Sequence, residues 1–160
     1  MEKLIEKIRR CFPAVEKPLP EFLTVHGDGC TQCSFLKEEL ALIAGPRIER
    51  DDVWLLFGEL SLLSPQGFRW VLPYYMESIL AVDADSMLVE FLAYHFSVSG
   101  SEEEQAQLKN RMDFLSCEQI ACIQKVLRVG REELGRIWYN DFDSAIQYLQ
   151  VIRTERAEQE

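Results

Sequence analysis

The sequence predicts an all-α fold in a single domain, on three observations. Apolar residues recur at three- and four-residue intervals along most of the 160 positions. No stretch alternates apolar and polar residues between hairpin turns, and β-branched residues are sparse. The chain is 48% hydrophobic and has an ordinary single-domain length, enough to bury one core.

Seven or eight helices follow in order. Leu4, Ile8 and the Cys11-Phe12 pair, with charges between them, predict a short amphipathic helix over residues 1–12, ended by Pro13. Residues 13–29 hold Pro18, Pro20, Gly27 and Gly29 and read as an extended connector. Leu36, Leu40 and Ile43 then mark one face of a helix over 31–44, stopped by Gly45-Pro46. Asp51 or Asp52 is placed to cap the next helix, because a carboxylate there accepts orphan amide hydrogens and opposes the helix dipole. Its inward stripe is Val53, Phe57 and Leu60.

The central helix, near 64–81, is the most strongly specified. Ser64 is a good N-cap, Pro65 occupies the first helical position where its missing N–H costs nothing, and Leu63 is spaced to staple onto Phe68. Phe68, Leu72, Tyr75 and Ile79 mark one face; Trp70, Val71, Tyr74, Met76 and Leu80 extend apolar surface onto others, as a helix packed on more than one side requires. Pro73 removes a backbone bond inside it and predicts a kink. Plain core packing is the simpler expectation for these aromatics; a ligand pocket along the kink near Trp70, Tyr74 and Tyr75 is the other.

Met87, Phe91 and Tyr94, with Leu88 and Leu92, predict a further amphipathic helix, and Ser101 to Glu104 is a capping box opening a polar helix through Met112. Ser116 with Gln119 forms another capping box, Leu115 staples to Ile120, and Gly130 is expected to close that helix. Leu134, Trp138, Phe142, Ala145, Leu149 and Ile152 trace one face of a long C-terminal helix with a break expected near Asn140-Asp141. The charged residues 154–160 are expected to fray.

The phrase Leu63-Ser64-Pro65-Gln66-Gly67-Phe68-Arg69-Trp70-Val71-Leu72-Pro73 resembles a family of small bacterial proteins described only as a domain of unknown function, whose hallmark is Leu-Ser/Thr-Pro-x-x-Phe-Arg-Tyr-Tyr-Leu-Pro. FLSCEQIACIQKVL downstream, and CTQC followed by a Trp54-bearing helix upstream, extend the similarity over residues 25–130. This chain departs from the pattern at Trp70 and Val71, where two tyrosines are expected. The resemblance implies an all-helical domain and supplies no activity.

Charge narrows the partners. Twenty-seven acidic against 17 basic residues give a formal charge of −10, which repels phosphate backbones and anionic lipid and attracts basic proteins. Neither nucleic acid nor a membrane is an expected partner. No apolar run approaches the ~18 residues needed to cross a bilayer. The first residues lack the apolar region of a signal peptide, so the expected location is the cytoplasm. Five cysteines, an odd number without secretory context, are expected to be mostly reduced thiols. Asp83, Asp85, Glu90, Glu102, Glu103 and Glu104 fall between Val82 and Glu104 with no Lys or Arg, whereas Met1 to Lys17 is net basic. The leading functional expectation is therefore an acidic cytosolic protein-binding module, of the immunity or adaptor kind, docking a basic partner protein through those six carboxylates.

The alternative centres on His26, Cys30 and Cys33. Structural zinc takes four N or S ligands, usually as two close pairs, and this loop offers three. Cys117 and Cys122, five apart on a helix, point about 140° away from each other, so a fourth ligand would be one of them, Cys11 or His95, and no spacing demands any. A thiol-redox pair is the second chemistry, since a helix start lowers a thiol pKa, though the βαβ setting of thioredoxin-like motifs is missing. Simple packing of two thiols is the third. Zinc is the one candidate cofactor, and the sequence requires none. Nor are catalytic residues assigned: His95 reads as core, Asp141 and Asp143 diverge on a helix, and no phosphate loop, serine elbow or histidine pair occurs.

Overall fold

The computed structural model describes residues 1–27, 29–56, 58–81, 86–97, 102–134 and 139–158. Among these, eight helices carry the fold: α1 (Glu2–Cys11), α2 (Thr31–Leu42), α3 (Arg50–Val53), α4 (Pro65–Ile79), α5 (Ser86–Phe96), α6 (Glu102–Arg111), α7 (Cys117–Leu134) and α8 (Tyr139–Ala157). Three 3₁₀ turns, Pro20–Phe22, Trp54–Leu56 and Glu59–Leu62, fill connections. The described residues show no β-pairing beyond an isolated bridge between Thr24 and Leu63, so the all-α expectation holds. One hydrophobic cluster runs from Ile8 in α1 to Ile152 in α8 and takes in residues of every helix, with Val53 the contribution of the short α3.

The middle of the molecule follows its sequence signals. Ser64 Oγ accepts from the Gly67 amide at 3.0 Å, and Pro65 opens α4. Trp70, Val71, Leu72, Tyr75 and Met76 are all fully buried, as a helix with apolar residues on several faces must be. Ser116 and Gln119 complete their reciprocal capping box: the Gln119 amide donates to Ser116 Oγ at 3.2 Å, and the Ser116 amide to Gln119 Oε1 at 2.9 Å.

Elsewhere the structure corrects the reading. The cap of α3 is Glu49, whose carboxylate faces the Asp52 amide while Asp52 Oδ2 accepts from the Glu49 amide at 3.3 Å. Asp51 and Asp52 belong to the first turn. The expected helix through Leu60 is one turn of α followed by 3₁₀ turns, and Gly58, a poor helix former, stands between them; Val53 and Leu60 are buried as expected, and Phe57 lies outside the described residues. On α5 the inward face is Leu88, Val89, Leu92, Ala93 and Phe96, whereas Met87 and Tyr94 are exposed. The face is turned because α5 packs against both α7 and α8.

Gly130 does not end α7, which continues to Leu134. A Cβ on Gly130 would lie 2.4 Å from Val89 Cγ2, so the glycine marks the close approach of α7 to α5. Leu134, expected on the C-terminal helix, instead belongs to the end of α7, and α8 begins at Tyr139 and runs unbroken through Asn140-Asp141, the expected break; Ser101, Trp138 and residues 135–137 lie outside the described residues. The tail does not fray at Thr154 either. The helix extends to Ala157, and Arg156 donates to the carbonyls of Met112 (2.9 Å), Asp113 (3.0 Å) and Leu115, which ties α8 to the α6–α7 connection.

Candidate metal centre

The connector before α2 carries His26, and its path is set by the start of α4. The Val25 amide donates to Leu62 O at 2.9 Å and the Ser64 amide to Leu23 O at 3.0 Å, while Ser64 Oγ donates to Phe22 O. Gly67 makes that crossing possible: a Cβ there would lie 2.3 Å from Leu23 O. Thr24 Oγ1 then donates to His26 O at 3.1 Å, and the Cys30 amide closes a turn onto Gly27 O at 3.2 Å. Cys30 becomes the N-cap residue of α2, and Cys33 falls in the first turn on the buried side.

The result brings together all three residues singled out in the sequence. One ligand atom from each of His26, Cys30 and Cys33 lies within 4.8 Å of the others, so this group could hold a metal ion. The Cys33 sulfur is 3.5 Å from His26 Nδ1. Burial is graded, with Cys33 inside, Cys30 half-buried and His26 exposed, so the cluster has a closed floor and a mouth open to solvent. The two thiols are electrostatically unequal. The Cys33 amide, then the Cys33 thiol, turn toward the Cys30 sulfur and hold its pKa below the ordinary thiol value. Burial pushes the Cys33 thiol up, and its hydrogen bond to Cys30 adds to that. With no acidic side chain in the first turn of α2, the positive end of the helix faces the sulfurs unopposed.

The proposed sources of a fourth ligand are elsewhere. Burial holds Cys122 in its thiol form with a pKa pushed up to about 12, burial likewise raises Cys11, and Cys117 Sγ donates to Arg153 O at 3.5 Å. None of the five cysteines is in a disulfide. His95 sits between the rings of Phe68 (centroids 5.0 Å apart) and Phe96 (5.2 Å).

Of the six carboxylates expected to form a docking face, Asp83 and Asp85 lie outside the described residues. Glu102, Glu103 and Glu104 are exposed in the first turn of α6, where they oppose its dipole, and Glu90 is half-buried on α5. The aromatics beside Pro73 are mainly core. Trp70 and Tyr75 are fully buried, and Trp70 Nε1 donates to Pro46 O at 2.7 Å. Only Tyr74 of the three lines the neighbouring recess, beside Arg47, Glu49 and Glu77. No protein-family model matches this chain, and neither does a curated protein or a solved structure.

A residue the sequence reading passed over stands out in the structure. Arg111 is only 5% exposed at the end of α6. Its Nη2 donates to Ser61 O at 2.8 Å, and Nη1 lies 3.5 Å from His95 Nε2. The available signal was position: Leu108, Arg111, Met112 and Leu115 are spaced i, i+3, i+4, i+7, which puts an arginine on an inward stripe.

Proposed function

We propose that this protein binds zinc, or a cation of similar thiophilicity, through His26, Cys30 and Cys33. The observation that carries the reading is the 3.5 Å separation of Cys33 Sγ and His26 Nδ1. Zinc bonds of about 2.3 Å to sulfur and about 2.0 Å to nitrogen, opened at the tetrahedral angle, set the two donors about 3.5 Å apart. The donor set is soft and borderline, as zinc prefers, and the helix terminus together with the cation would favour both sulfurs as thiolates. Three protein ligands leave a fourth position for water or an exogenous group, the pattern of an open rather than a sealed site.

The test is cobalt(II) and zinc titration of the reduced protein, followed by thiolate-to-cobalt charge-transfer absorption and by elemental analysis. One equivalent of metal is expected, with tetrahedral cobalt bands and loss of binding in Cys30→Ser and Cys33→Ser. Absence of any stoichiometric metal from protein with fully titratable thiols would sink the proposal.

A second reading, a reversible Cys30–Cys33 disulfide, is supported by the inequality of the thiols: Cys30 is lowered and accessible, Cys33 raised and buried, as an attacking and a resolving sulfur would be. Mass spectrometry after mild oxidant and then reductant separates the two, because the disulfide removes two ligands. Docking of a basic partner rests on sequence charge alone and gains nothing from the geometry of the described residues.

A further inference from the structure

Arg111 poses a problem of charge. The residue is 5% exposed, and among the described residues its guanidinium forms no ion pair. Of its five N–H bonds one goes to Ser61 O, and one at most to His95 Nε2 at the edge of bonding distance. Nε is buried and has no acceptor. A buried cation of this kind ordinarily has a counter-charge. Yet the position is not sealed in the core: Arg111 lines a cleft of about 370 Å³, at the small end of ligand-site volumes.

The rest of the cleft limits what could supply the negative charge. Leu60, Leu62, Phe91 and Leu108 give it apolar walls, and Ser97 and Gln105 offer polar groups. The imidazole of His95 is neutral at physiological pH, its pKa driven down to about 3 by burial and then by Arg111. It therefore accepts rather than adding a second positive charge. Glu104 lies on the lining and, with the −10 charge of the whole chain, disfavours a dianion. Tyr94, 62% exposed, stands in the wall.

We propose that this cleft is a binding site for a small organic monocarboxylate, its carboxylate paired with the Arg111 guanidinium and its apolar body against Phe91 and Leu108. Guanidinium and carboxylate match in charge and planar geometry, and the pair gains strength where water is excluded. The site stands apart from the thiols of the proposed metal centre and meets it only at His26, which reaches the cleft lining.

Phenylacetate is a suitable probe, with phenylacetamide as its uncharged match and inorganic phosphate as a competing anion class, each added to the full chain in calorimetric titration and thermal unfolding. Phenylacetate is expected to bind saturably and raise the melting temperature, and phenylacetamide and phosphate to do neither. Arg111→Gln should weaken phenylacetate binding about 10- to 100-fold. Because that variant also loses the tie to Ser61 and can lose the fold, Tyr94→Glu at an exposed wall position supplies an independent check. Its added carboxylate should weaken binding while the melting temperature without ligand stays within a few degrees. Cys30→Ser/Cys33→Ser should bind phenylacetate like the wild type, which separates this site from the metal proposal. Equal binding of the amide, preference for phosphate, or saturable binding unaffected by both Arg111→Gln and Tyr94→Glu would each overturn the assignment, as would no binding by any probe.

Discussion

Single side chains set the conditions under which the site exists. His95 is held neutral by burial among Phe68 and Phe96 and by the neighbouring Arg111, with its pKa near 3 against 6.5 in an open chain. The unfolded chain therefore takes up this proton at a higher pH than the folded one. The stability it contributes is intact above about pH 6.5 and is lost as pH falls toward 3, with a limiting slope of about 1.4 kcal/mol per pH unit. Glu104 and His26 also line the cleft, so the slope is read by difference. Urea midpoints at pH 7.5 and pH 5 should draw closer together in His95→Gln than in the wild type; an identical pH dependence would show that His95 takes up its proton without resistance. Gly67 is the other decisive residue. Its absent Cβ clears Leu23 O, and backbone cannot swing aside as a flexible side chain can, so Gly67→Ala should cost about 1–3 kcal/mol in chemical denaturation.

At the scale of elements, the same glycine logic recurs between helices. Gly130 lies in mid-helix, where glycine is intrinsically poor, yet its place against Val89 lets α5 and α7 pack closely. Propensity and packing thus oppose each other, and the 2.4 Å approach to a β-branched side chain decides in favour of packing. Gly130→Ala is expected to destabilise by about 1–3 kcal/mol, although alanine is the better helix former. Combining it with Val89→Ala should recover part of that loss, and a purely additive double mutant would refute the contact. Ser64→Ala tests the start of α4 and should cost about 1 kcal/mol, plus whatever the lost bond to Phe22 O holds in the connector. Because that connector carries His26, the same variant should weaken zinc binding without touching a ligand.

For the whole molecule, the proposed metal and the fold are thermodynamically linked. The three ligands come from two segments, the connector at His26 and the start of α2, that the unfolded chain does not hold together. Free zinc at a hundred times its Kd should add about 2.7 kcal/mol, or about 5–10 °C in melting temperature for a domain of this size. Differential scanning calorimetry with and without chelator measures it. The increment should vanish in Cys33→Ser; a melting temperature blind to zinc would mean that the ion does not distinguish folded from unfolded chain. No helix among the described residues is long and apolar enough to cross a membrane.

Much of this was legible along the chain because it depends on neighbours within one or two turns. The Ser64 and Ser116 caps, the breadth of the central helix and the grouping of His26, Cys30 and Cys33 are local relations, and a helix start brings residues three apart together almost regardless of what surrounds it. Tertiary structure decided the rest. Gly130 reads as a terminator until Val89, forty-one positions away, is seen against it; the frayed tail becomes ordered helix once Arg156 meets the carbonyls after α6; and Arg111 is one more surface arginine until the cleft closes around it. Sequence alone determined the class, the helix starts at Ser64 and Ser116 and the grouping of His26, Cys30 and Cys33, since short-range hydrogen bonding and side-chain period settle those. Which glycine packs, which cation is buried and which thiol is shielded were decided by long-range approach, because burial is a property of what lies opposite and not of what lies adjacent.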